Sequence, residues 1–289
     1  MPNEINSLLN DLPKYSKWPS RLLGIDEWKQ RKKSKQEIDR EYEEESWGAY
    51  LNKVEDLGIR NQITSRQLDS WQCDLEEPIV YSQEDNLIKS SFGEAYDNFV
   101  RTIYKTLVSH LPATSVAEFG CGFGSVILRL AEYPELQGID LYASEYTVSG
   151  QELTKICAKN QNIKLHVGGC DFMDRHLCDL AVPEESVIFT CAAACTLPVL
   201  PDTFIESLIE YKPRLVIHFE PTYEHQDKTT LLGLMRKRYI EVNDYNRNLL
   251  DLIKKYQRSK KLNIIEEIPS VIGVNPLFPI SIISWKPNL

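Results

Sequence analysis

The sequence predicts an α/β protein built on a doubly wound, mostly parallel sheet, and three observations carry that prediction. From Gly93 to Pro221, apolar strand-like runs alternate with stretches of helical periodicity, which calls for parallel strands with helices between them. The first such strand, Val116–Phe119, runs straight into Gly120-Cys-Gly-Phe-Gly124 and then into Ser125-Val-Ile-Leu-Arg-Leu-Ala131, a strand, a glycine turn and a helix in succession. A later run, Ser186-Val-Ile-Phe-Thr-Cys191, is apolar enough to be buried on both faces, as strands of parallel sheets are.

The 289 residues, 42% hydrophobic and 26% charged, suit one α/β domain plus an appendage. A net charge of −9 argues against a general nucleic-acid or anionic-membrane binder, which needs a dominant basic face. No apolar run approaches bilayer-spanning length, and the opening Met-Pro-Asn-Glu lacks a signal-peptide pattern. Seven scattered cysteines with no Cys-x-x-Cys pair read as reduced thiols of a cytoplasmic protein.

Residues 1–90 read as a helical N-terminal cap. Leu8, Leu9, Leu12, Trp18, Leu22 and Leu23 suggest short helical pieces punctuated by Pro13 and Pro19. A longer helical segment is expected from Asp26 to about Leu57, with Trp28, Tyr42, Trp47, Tyr50 and Leu51 as its apolar stripe. The basic run Lys29-Gln-Arg-Lys-Lys-Ser-Lys35 reads as a solvated helix face, because the acids from Glu37 to Glu45 neutralise it. Residues 58–86 read as a connection into the main domain, 91–289. There Phe92, Tyr96, Phe99, Val100, Ile103 and Leu107 recur at helical spacing, so Gly93–His110 is a helix packed on the sheet. Beyond the glycine turn, strands are expected at Ile139–Glu145, Ile163–Val167, Ser186–Cys191 and Arg214–Glu220, then Asn263–Ile268 and Ile280–Trp285 across a Pro-rich loop. Residues 222–262 exceed a simple crossover and read as an insertion of two helices, Lys228–Ile240 and Asn246–Tyr256.

The glycine spacing selects the ligand. A dinucleotide fingerprint places a third Gly or Ala at position 125, which is serine. An acid followed by Gly-x-Gly-x-Gly, Glu118 to Gly124, instead resembles motif I of the class I S-adenosylmethionine (SAM) methyltransferases. The resemblance covers about residues 90 to 289. It implies a seven-stranded sheet whose last strand inserts antiparallel between the fifth and sixth, with the N-terminal cap closing over the cofactor. It implies SAM as cofactor, its methionyl end held by Glu118 and by the turn Gly120, Cys121, Gly122 and Gly124. Glu145, at the carboxyl end of the second strand, takes the ribose hydroxyls and is followed by Tyr146; Asp140 competes for that role but stands near the strand's start. Asp171 accepts the adenine amine and the Phe172 N–H meets the ring, while Cys191 ends the fourth strand beside the methionine portion.

His218 and Glu220 share a face at the carboxyl end of the fifth strand, where an acceptor must lie. They read either as a base and its orienting partner or as a structural pair, since positioning alone carries transfer to an acceptor that is already nucleophilic. No metal is expected, although His218, Glu220 and His225 make one conceivable. Tyr223, Asn243 and Tyr245 are candidate acceptor contacts, the last two reading equally as a helix cap and turn. The sequence thus reads as a SAM-dependent methyltransferase. Its expected acceptor is an O or N atom of a small molecule, sugar or peptide in tailoring chemistry, with no nucleic-acid or membrane partner. The rival readings are an NAD-type oxidoreductase and a non-catalytic SAM-binding scaffold.

Overall fold

A computed structural model describes residues 8–30 and 32–288. The opening tetrapeptide and Arg31, on which two of the sequence readings drew, lie outside them.

The alternating half folds as its apolar runs dictate. Parallel strands β3 (Ser115–Phe119), β4 (Asp140–Glu145), β5 (Leu165–Gly169), β6 (Val187–Cys191) and β7 (Leu215–Glu220) are followed by β8 (Leu262–Gly273) and β9 (Ile280–Pro287). β9 lies antiparallel between β7 and β8, as expected. Among the described residues the sheet has nine strands, not the expected seven. Residues 78–91 form a hairpin, β1 (Pro78–Gln83) and β2 (Asn86–Ser91), which joins the sheet where Ser82 and Gln83 pair with Gly273 and Ile272. The last part of the stretch read as a connection, from Pro78 on, is therefore the sheet's edge, and the order runs β2-β1-β8-β9-β7-β6-β3-β4-β5.

Successive residues along each strand point to opposite faces and build two cores. Leu215, Ile217 and Phe219 of β7 join Val187 and Phe189 on one side; Val216 joins Ile188, Phe204 and Trp285 on the other. His218 lies on this second side, tilted against Phe204 and Trp285.

The N-terminal region is less regular than expected. In place of one helix from Asp26, residues 27–30 and 32–34 are non-helical, and the helical path begins at α2 (Lys35–Ile38), after the short α1 (Trp18–Leu22). It continues as a π-helical stretch, Asp39–Ser46, and then α3 (Trp47–Asp56). Ser46 Oγ donates to the Glu41 carbonyl at 2.6 Å near the end of that stretch. α4 (Ser65–Gln72) opens on a capping box between Thr64 and Gln67. It reaches the main domain through Asp69, which binds Arg129 (2.8 Å) and Ser125 (2.6 Å) out of solvent. The predicted helix after the hairpin is α5 (Phe92–Val108), capped by Ser91.

Candidate functional site

β3 ends on Phe119, and the chain turns through Gly120-Cys-Gly-Phe-Gly124 into α6 (Ser125–Leu130). Gly120 and Cys121 both donate to the Ser144 carbonyl, at 2.7 and 2.9 Å, which lashes the turn to β4. Two glycines are required by geometry. At Gly120 (φ +79°) a Cβ would come within 2.4 Å of the Ala193 Cβ. At Gly122 (φ +59°) it would meet the Trp47 ring at 3.1 Å. The close approach expected of a ligand at Gly122 is thus made in this structure by an indole from the N-terminal region.

Glu145 closes β4, and its carboxylate is almost fully ordered by the protein. It accepts from Gly122 N–H (2.9 Å), Thr147 N–H (3.0 Å) and Thr147 Oγ1 (2.8 Å). Burial pushes its pKa up, and those donors pull it back. Thr147 caps α7 (Val148–Asn160). At that helix's N-terminus Glu43 accepts from Ser149 N–H at 3.2 Å, where a carboxylate complements the helix dipole, so the π-helical stretch is pinned beside the glycine turn. Asp140, the competitor, stands exposed at the strand's start and pairs with Lys164 at 2.9 Å.

A cavity of about 500 Å³ opens at the carboxyl ends of these strands, within the usual range for small-molecule sites. Its wall includes Gly120, Gly122, Glu145, Tyr146, Asp171 and Phe172, six of the residues singled out for the cofactor. Asp171 orders its own turn, accepting from Met173 N–H at 2.8 Å, and the Tyr146 hydroxyl donates to Asp39. The other four do not line it. Glu118 is buried and accepts the Ile127 N–H at 3.0 Å, capping α6, and burial holds its carboxyl well above the usual range. Cys121 and Cys191 are buried thiols whose pKa burial raises, and Gly124 faces Thr154.

The proposed catalytic pair is corrected by its surroundings. His218 is fully buried, with Nδ1 bonded to Thr190 Oγ1 at 3.0 Å and Nε2 accepting from the Trp285 indole N–H at 3.1 Å. Both ring nitrogens are taken, and burial pushes the pKa down to about 3, too weak a base to serve near neutrality. Glu220 is equally buried and accepts the N–H groups of Ala193, Ala194 and Cys195, each at 3.0 Å. Its work is to hold the loop leaving β6. Neither side chain lines the cavity. His225 turns to Ser281 (2.9 Å) and Glu267 (3.0 Å), and among the described residues no three His, Cys, Asp or Glu gather as a metal site.

The proposed acceptor contacts fall outside the cavity as well. Tyr223 donates to Glu241 at 2.9 Å beneath Lys237. Asn243 donates to the Tyr239 carbonyl at the end of α9 (Leu231–Val242), a cap as in the alternative reading. Tyr245 packs on Phe278 and lies 5.6 Å from the Lys33 ammonium. What lines the cavity in their place comes from the loop, Ala192, Ala193 and Thr196 to Val199, and from Lys33, Lys35, Ile38, Tyr42 and Trp47 of the N-terminal region. The basic run is solvated at Lys29, Lys32 and Lys35, as expected, but it is non-helical before Lys35, and Lys33 is buried, paired with Glu41 and lying over the Tyr42 ring. No periodicity announces such a contact. The only trace in the sequence is the density of aromatic residues beside the lysines.

The strand order decides the architecture. Dinucleotide-binding sheets run 3-2-1-4-5-6, all parallel. Here the five parallel strands are followed by an antiparallel last strand set between the fifth and the sixth. The fold is that of the class I methyltransferases. No family model matches the sequence, and neither does any curated protein. Among solved structures, the small RNA methyltransferase HEN1 is 16% identical over 67% of this chain and 25% of its own, with a TM-score of 0.49. Magnesium protoporphyrin IX methyltransferase (ChlM) from Synechocystis PCC 6803, with bound SAH, is 16% identical over 80% of this chain and 98% of its own, at 0.48. The [4+2]-cyclase SpnF is 12% identical over 68% of this chain and 83% of its own, also at 0.48. These are likenesses of fold alone. At these identities, and with TM-scores below 0.5, they say nothing of reaction or acceptor. No helix among the described residues is long and apolar enough to cross a membrane.

Proposed function

We propose that the chain is a SAM-dependent methyltransferase acting on an O or N atom of a small-molecule, sugar or peptide acceptor. The observation that carries this reading is one cavity touching three successive strand ends: the glycine turn after β3, Glu145 at the end of β4, and Asp171 with Phe172 after β5. That sequence of groups suits the methionyl, ribose and adenine parts of one nucleoside ligand in turn. When bound, SAM would supply an electrophilic methyl on a sulfonium. Glu145 would accept ribose hydroxyl hydrogens and Asp171 an exocyclic amine. The loop Ala192–Val199, held by Glu220, would form the wall against which the acceptor is aligned, and alignment supplies most of the rate in such a displacement. With His218 sequestered, no base is assigned. Residues 8–72 would serve as the cap over the cofactor, with Trp47 against the turn.

The test is calorimetry with SAH alongside methyl transfer from labelled SAM across an acceptor panel. Gly122→Val should abolish SAH binding, because the branched side chain collides with Trp47 in a left-handed backbone conformation. An unchanged affinity refutes the assignment.

A further inference from the structure

Accepting the methyltransferase reading, the question left is what the acceptor looks like, and the N-terminal region answers it. Lys33 is buried, its side chain only 1% exposed, yet it belongs to the cavity wall. Its place is built from two directions. Its own N–H donates to Asp244 at 3.0 Å, and its ammonium lies 5.3 and 5.6 Å from the ring centres of Tyr42 and Tyr245. Asp244 and Tyr245 belong to the junction after α9. That junction is fixed to the loop leaving β6, since Asn246 N–H donates to the Cys195 carbonyl at 2.9 Å and its side chain to the Leu197 carbonyl at 2.8 Å. Of the residues that sequence reading took for acceptor contacts, Tyr245 thus joins Asp244 in holding a lysine against the loop that walls the cavity. Among the described residues Glu41 is its one carboxylate partner, and an ammonium has three hydrogens to give.

A second cation stands beside it. Lys35 also lines the cavity, on the exposed side of α2. Among the described residues no carboxylate is paired with it. The same wall carries apolar side chains, Ile38, Leu197, Pro198, and Met173 and Val199, which are 57% and 59% exposed. Large apolar side chains left open at a cavity mouth favour a ligand with apolar surface of its own.

We propose that the acceptor is an amphiphilic anion: an apolar body lying between Ile38, Leu197 and Val199, carrying a carboxylate, sulfonate or phosphate that pairs with Lys35 and shares the Lys33 ammonium with Glu41. A neutral or cationic acceptor leaves the two lysines unused. The pairing selects the acceptor and takes no part in holding the cofactor.

The experiment uses two fluorescent probes of similar apolar bulk on the SAH-saturated full-length protein: 8-anilinonaphthalene-1-sulfonate, an anion, and N-phenyl-1-naphthylamine, which is neutral. Titrations are run on wild type, Lys35→Met and Lys33→Met at low and high salt, with SAH affinity measured by calorimetry for each. The anionic probe should bind wild type and weaken at least about threefold in Lys35→Met, within the usual range for an ion pair to an exposed side chain. Its affinity should fall with salt, while the neutral probe changes less than about twofold. Lys35→Met is an exposed change and tests the proposal even where Lys33→Met disturbs the fold. Equal weakening of both probes, or an anionic probe indifferent to Lys35 and to salt, overturns it. So does preference for the neutral probe in wild type. Loss of SAH binding in wild type would instead overturn the cofactor reading, which the calorimetry reports separately.

Discussion

Lowering the pH from about 7.5 to about 4 should cost the folded protein about 3 kcal/mol through His218 alone. The imidazole is walled in by Phe204 and Trp285, with both nitrogens engaged, and burial holds its folded pKa near 3 against 6.5 for the free side chain. Between those values the unfolded chain binds a proton that the native state refuses. The stabilisation by neutral His218 is therefore complete above pH 6.5 and is lost as the pH falls toward 3. Each unit in that window is worth about 1.4 kcal/mol, and about 2.5 units lie between 6.5 and pH 4. Glu118, Glu145 and Glu220 work the other way: their folded values are raised, so stability is present below 4.5 and lost as the pH rises through the folded value. Those contributions are common to wild type and His218→Gln, and the difference between the two cancels them. Glutamine still offers an oxygen to the Trp285 N–H and does not titrate. Urea unfolding followed by circular dichroism at a series of pH values gives both curves. The gap between them should close by about 3 kcal/mol on acidification. Parallel curves would mean that the ring is hydrated and titrates near 6.5, and would reopen its candidacy as a base.

Two further outcomes follow from the site and its support. Glu145→Ala should weaken SAH by about 1.5–3 kcal/mol in calorimetry, whereas Asp140→Ala, which removes only an exposed ion pair with Lys164, should change it by less than about 0.5; the reverse ranking would sink the ribose assignment. Asp69→Ala leaves Arg129, 7% exposed at its side chain, with only the half-exposed Asp97, and should cost about 3–5 kcal/mol in denaturant unfolding.

The parallel strands were legible because each is a short run of apolar residues ending on a turn signal, and β6 and β7, buried throughout, gave the strongest pattern. The β1–β2 hairpin was not, for a local reason. Its two-residue turn is Glu84-Asp85, with Glu84 at φ +55°, where the usual signal is an Asn-Gly or Asp-Gly pair. The π-helical stretch is equally silent, since Asp39–Ser46 has no buried residue to mark a face. Glu145 was found because strand ends are readable. The error over His218 and Glu220 came from treating the end of a strand as open to solvent. A loop folds back over β7, and three of its N–H groups close on Glu220. The lysines of the cavity wall escaped because a charge run looks the same whether it faces water or a binding site.

The position of β9 has a consequence for the order in which the molecule is put together. Glu220 on β7 pairs with Ser281, and Ile272 on β8 pairs with Ile280, so among the described residues β9 is the sole ladder joining the parallel strands to β8 and, through it, to the hairpin. Ser82 and Gln83 leave the ribosome nearly two hundred residues before their strand partners at 273 and 272. Until then the backbone groups of β1 facing that seam have no ladder to enter, and the edge is open to other chains. Closing a contact of that sequence separation is slow. A nascent chain halted before Ile280 would carry five paired parallel strands with an unfilled edge at β7, and a hairpin and β8 without the strand that joins them to the rest.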